Sequence, residues 1–139
     1  WGGPEGVAQA IETMAADRIG HGIHALENPA VVQMARSSGV GFEISPTSNL
    51  MTGVSKDMAL YPLSDMIDAG LRVAITTDDP SIFNTTLGQE HALAVERLGL
   101  SIETIKGLTL QALQLSFFNE KERRTMETEL VEKLWGSEG

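Results

Sequence analysis

Apolar positions change their period several times along the chain, and the changes separate short extended runs from longer helical ones. Val7, Ile11 and Met14 recur at the spacing of one helical face. Gly3-Pro4 opens that segment, and proline suits a first helical turn because its missing N–H has no partner there. Arg18-Ile19-Gly20-His21 reads as a short strand ending in polar chemistry. Asn28-Pro29 caps and opens a second helix through Val31, Met34 and Ala35, and Gly39 stands where a left-handed stop is expected. Val40 to Ser45 is the second strand, and a long polar loop is expected from Pro46 to about Leu60. Pro62 starts a further helix with Leu63, Met66 and Ile67 facing inward and Gly70 closing it. Leu71 to Thr76 is the third strand, and it runs directly into Thr77-Asp78-Asp79-Pro80.

Beyond Asp79 the pattern is helical only. One helix holds Ala92, Leu93 and Val95; the next starts near Ser101 and carries Ile102, Ile105, Leu108 and Ala112. The last begins at Asn119, where Glu122 completes a capping-box spacing, and runs through Met126, Leu130 and Leu134 to Gly136. Strand and helix alternate in the rhythm of βα units around a parallel sheet, so the expected class is α/β. With no repeat, linker or low-complexity stretch, residues 1–139 read as one domain. Every strand ends in polar residues: His21, then Glu43 to Asn49, then Asp78 and Asp79. In barrels of βα units, that C-terminal edge is where catalysis is assembled.

Composition then limits the partners. A formal net charge of -9 argues against nucleic acid or an anionic membrane, both of which demand a basic patch. No apolar run approaches the roughly 18 residues of a membrane span. With no cysteine, a metal must be held by His, Asp or Glu, and a cysteine nucleophile is excluded. The absence of cysteine and of a signal-peptide pattern together suggest a cytoplasmic location. The opening Trp1-Gly2-Gly3-Pro4 reads as the start of a piece cut from something longer.

Asp78 and Asp79 follow an apolar strand, and alternation there would give them two separate tasks, one on a cation and one on a substrate. The plain alternative is a pair of turn residues before Pro80. His21 lies between Gly20 and Gly22, which leave the backbone free to bend and the imidazole free to act as acid, base or ligand. A hydrogen-bonded structural histidine is the competing reading. Glu43 interrupts an apolar strand and needs a partner, either in support of the site or as a salt bridge to Arg18 or Arg72. Ser45 to Asn49 would orient a polar ligand or only satisfy its own loop. His24 is expected to be structural or exposed, His91, next to Glu90 in a helical pattern, to lie at the surface, and Met34, Met51, Met58 and Met66 to pack in the core.

Three ordered motifs now carry a resemblance. Arg18-Ile19-Gly20-His21-Gly22, Phe42-Glu43-Ile44-Ser45-Pro46-Thr47-Ser48-Asn49 and Thr77-Asp78-Asp79-Pro80-Ser81-Ile82-Phe83, followed by Asn84-Thr85-Thr86-Leu87, resemble the adenosine deaminase family over nearly the whole chain. The resemblance implies the C-terminal portion of a TIM-type (β/α)8 barrel, with about three βα units and terminal helices. It implies zinc-dependent hydrolysis of a purine nucleoside, adenosine giving inosine and ammonia. It makes Asp78 a zinc ligand and Asp79 a contact to a purine ring nitrogen. His21 becomes the catalytic histidine near the zinc-bound water, and Glu43 a supporting residue. The family pattern also expects a His-x-His pair, a further zinc-binding histidine and a catalytic glutamate. The chain holds none of these, so the N-terminal half of the barrel is an expected partner and the piece alone is expected to be inactive. Adenine or an aminofutalosine nucleoside as substrate, a non-catalytic remnant, and another metal-dependent barrel hydrolase are the alternatives.

Overall fold

The computed structural model describes residues 2–136; Trp1 and residues 137–139, the ends of the expected 1–139 domain, lie outside them. Helix α1 (Gly3–Glu12) leads into strand β1 (Arg18–Gly20), a 3₁₀ turn over Ile23–Glu27 and helix α2 (Pro29–Ser38). Strand β2 (Gly41–Ile44) is followed by helix α3 (Pro46–Met51), a 3₁₀ turn at Met58–Leu60 and helix α4 (Leu63–Asp68). Strand β3 (Arg72–Ile75) precedes α5 (Pro80–Phe83), α6 (Leu87–Glu96), α7 (Ile102–Gln114) and α8 (Glu120–Trp135).

The strands form one sheet in the order β1-β2-β3, with both pairings parallel. Gly20 stands opposite Glu43, and Ile44 opposite Ile75. The sheet and its helical crossovers make the expected α/β class. Period-2 alternation puts Phe42, Ile44, Val73 and Ile75 into one buried cluster with Val31, Ala35, Leu63 and Met66. Gly22 is required where it sits: its φ is 71°, and a Cβ there would lie 2.9 Å from the Phe42 ring. Gly41 leaves room for Leu115 at the end of α7, which a Cβ would meet at 2.5 Å. The terminal strand β3 is sealed from the side by α7, because the Val73 amide donates to Gln111 Oε1 at 2.5 Å.

Several expectations need correction. The loop expected from Pro46 holds a helix, since Ser45-Pro46 is a helix-opening pair and the polar side chains that follow find partners in the interior. Met14 lies beyond α1 and is exposed, as is Met51 at the end of α3. In α6 the buried face carries Glu90 and Ala94, leaving Ala92 exposed. Helix α8 has its capping box but buries none of its described residues, and Met126 is exposed.

Candidate active site

The C-terminal ends of β1 and β3 both leave the extended conformation abruptly. His21 follows β1 at φ 62°, and Asp78 lies three residues beyond β3 at φ 55°. A side chain in this left-handed region is uncommon and costs roughly 1–2 kcal/mol per residue. The turn brings the two residues together, with His21 Nε2 and Asp78 Oδ2 3.3 Å apart. The ladder reaches this edge, since the His21 amide donates to the Glu43 carbonyl at 2.8 Å and the Thr76 amide to that of Ile44 at 2.8 Å.

Helix α3 supplies the next layer. Ser48 Oγ donates to Asp78 Oδ2 at 2.7 Å. Asn49 is fully buried and bridges two rings, its Oδ1 lying 2.5 Å from His21 Nδ1 while its Nδ2 donates to Tyr61 Oη at 3.0 Å. With the amide nitrogen engaged by Tyr61, the Asn49 oxygen faces the imidazole, and Nδ1 carries the proton. Nε2 and Asp78 Oδ2 face one another at 3.3 Å, a geometry suited to a shared proton or to a cation. Ser45 Oγ and Thr76 Oγ1, 2.6 Å apart, tie the β2 and β3 ends together. The polar run Ser45 to Asn49 is thus built into the site, with Ser45, Ser48 and Asn49 all buried.

The other candidates stand apart from this cluster. Asp79 is exposed and caps α5, its Oδ1 accepting from the amides of Ser81 and Ile82, each at 3.2 Å. The neighbouring aspartates therefore do different jobs, Asp78 toward His21 and Asp79 at the helix start. Glu43 pairs with Arg18 at 3.1 Å, the salt-bridge option, and Arg18 also stacks 4.1 Å from the Phe117 ring centroid. Arg72, the other possible partner, donates to the Gly39 carbonyl at 2.8 Å. His24 pairs with Glu27 at 2.6 Å near the surface. His91, expected at the surface, is half-buried, and burial lowers its pKa against the opposing pull of Glu90. Burial pushes the Tyr61 hydroxyl well above the ordinary phenol range, and the Glu90 charge pushes it the same way.

Two features escaped the sequence reading. Tyr61 lay in a stretch read as loop and helix start. Glu90, in a helical stretch where a glutamate is expected to face solvent, is fully buried. Its place four residues before Ala94, on one helical face, was the available signal.

A carboxylate oxygen and an imidazole nitrogen are suitable zinc donors, and Asp78 with His21 offers both. The fit is that of part of a site: among the described residues, no group of three or more His, Cys, Asp or Glu gathers to hold a metal. Beside His21 lies a cavity of about 200 Å³, lined by Gly3, Gly6, Val7, Ile19 and Gly22 among others. That is smaller than the roughly 300–1,000 Å³ usual for a small-molecule site.

A parallel βα sheet with a His–Asp pair at its C-terminal edge defines an α/β barrel-type chain carrying polar chemistry in the usual place. Comparison with known proteins gives the family: residues 1–133 match adenosine deaminase, and the chain belongs to that family. It is 37% identical over 126 residues to an adenine deaminase of Chelativorans sp. (strain BNC1), covering 91% of this chain and 39% of that protein. It is 34% identical over 131 residues to an adenosine deaminase of Escherichia coli O157:H7, covering 94% and 39% respectively. The crystal structure of an adenine deaminase from Arthrobacter aurescens superimposes with a TM-score of 0.90 at 25% identity, over 95% of this chain and 40% of that one. The chain thus spans about two fifths of the length of these relatives.

Proposed function

We propose that this chain forms part of the active site of a zinc-dependent hydrolytic deaminase that converts adenosine to inosine and ammonia. The observation that carries the reading is the His21–Asp78 pair, held by Asn49 and Ser48 at the C-terminal edge of the sheet. When bound, zinc supplies hydroxide near neutral pH by lowering the pKa of water to about 7. Asp78 is the residue to hold it. His21 has Nδ1 fixed on Asn49, so Nε2 is the atom that takes a proton from the attacking water and returns it as the amine leaves. Asp79 has Oδ1 committed to α5, which makes Oδ2 the oxygen for the purine. A ring nitrogen is an acceptor, so Asp79 bonds to it only while protonated. The Glu43 side chain supports the edge through Arg18, while its backbone carbonyl accepts from the His21 amide.

The reading as a non-catalytic remnant is weakened by the convergence of His21, Asp78, Ser48 and Asn49 from three separate elements on one polar cluster at the sheet edge. Adenine is the second substrate reading, favoured by the higher identity to an adenine deaminase, 37% against 34%. The test joins this chain to the N-terminal three fifths of the Escherichia coli relative and follows purine absorbance with zinc, using adenosine, adenine and Asp78→Ala. Turnover of adenosine that Asp78→Ala abolishes is the expected result. Turnover of adenine alone shifts the substrate, and a folded, zinc-loaded chimera inert toward both overturns the deaminase reading.

A further inference from the structure

Glu90 projects from α6 into the interior and is fully buried, one turn before the equally buried Ala94. A buried carboxylate without partners is costly, and this one has two. Its Oε2 accepts from the Thr47 amide at 3.1 Å, and its Oε1 from Thr85 Oγ1 at 2.6 Å. Thr47 is in the first turn of α3, where N–H groups have no partner within the helix. A helix of six residues is held weakly by its own hydrogen bonds, so what grips its end sets its position. The next two residues, Ser48 and Asn49, are the ones that reach Asp78 and His21. Thr85 belongs to the segment that follows Asp78, Asp79 and α5. One carboxylate therefore joins the chain beyond β2 to the chain beyond β3.

We infer that Glu90 is a positioning residue: by gripping α3 at the Thr47 amide and the following segment at Thr85, it sets where Ser48 and Asn49 meet Asp78 and His21. The inference rests on the reading of His21 and Asp78 as site residues. Glu90 bonds to Thr47 and Thr85 and acts on the pair through α3.

The chain has three histidines, so ¹⁵N-histidine labelling gives a short spectrum in which His24, paired with Glu27, serves as internal reference. The variants are Glu90→Leu, Glu90→Gln, Thr85→Val and Ala94→Gly. Leucine removes both acceptors, whereas glutamine offers its oxygen to the Thr47 amide and its NH₂ to the Thr85 hydroxyl. Thr85→Val removes one donor and carries the test should Glu90→Leu not fold. Ala94→Gly loosens the same helix face and leaves the Glu90 bonds to Thr47 and Thr85 in place. Glu90→Leu and Thr85→Val are expected to shift or broaden the His21 ring signals, and Glu90→Gln to restore them. Ala94→Gly is expected to lower the melting temperature with His21 unmoved. Unmoved His21 signals in both Glu90→Leu and Thr85→Val, or an equal shift in Ala94→Gly, would make Glu90 a core residue only. The spectrum needs neither substrate nor metal, so a chain that deaminates nothing still returns an answer.

Discussion

His21 and Asp78 each combine chemistry with a backbone conformation that ordinary side chains avoid. The strain is local and can be measured. Glycine at position 78 meets no Cβ penalty, so Asp78→Gly is expected to be about 1 kcal/mol more stable than Asp78→Ala in urea titrations, although both lose the Ser48 bond. Tyr61 gives a second prediction. Its hydroxyl is held above the usual range by burial first and Glu90 second, so the folded protein keeps that proton longer than the unfolded chain. The contribution is whole below pH about 10 and is lost as pH rises toward the raised folded value. The urea midpoint is expected to fall above that pH, and Tyr61→Phe to flatten the fall. At this scale the sequence spoke clearly of His21 and Asp78, because polar residues directly after apolar strands stand out. It was silent on Glu90, because a glutamate in a helix ordinarily lies on a solvated face and only the spacing to Ala94 hinted otherwise.

Helices with sharp punctuation were readable as elements: Asn28-Pro29 and Gly39 bound α2 as expected, and Asn119 with Glu122 forms the capping box of α8. Helix α3 was hidden for the opposite reason. Thr47, Ser48 and Asn49 are residues that compete with the backbone for hydrogen bonds and favour turns. Here their side chains or amides are engaged by Glu90, Asp78, His21 and Tyr61, so the competition does not arise. Tertiary partners decided that element. Helix α8, without buried residues, depends more on its own ends. Asn119→Ala is therefore expected to cost about 1 kcal/mol locally. Amide exchange should quicken along α8 while the strands stay protected.

At the scale of the molecule, the parallel order of the strands and the polar edge were both foreseeable, whereas the sealing of β3 by Gln111 was not, since a side chain standing in for a neighbouring strand leaves no periodic trace. Gln111→Leu leaves the Val73 amide without its acceptor and is expected to destabilise by about 1–3 kcal/mol in urea titrations. With no cluster of three potential ligands among the described residues, the chain alone is expected to bind zinc at micromolar affinity or weaker, about -8 kcal/mol at best, by calorimetric titration. The two left-handed positions also bear on how such a sequence drifts. Where selection for chemistry lapses, most replacements of His21 or Asp78 keep the conformational penalty, and the easy escapes are glycine and asparagine. A lineage that has abandoned catalysis should therefore betray itself by those two residues at these two positions, before its core begins to change.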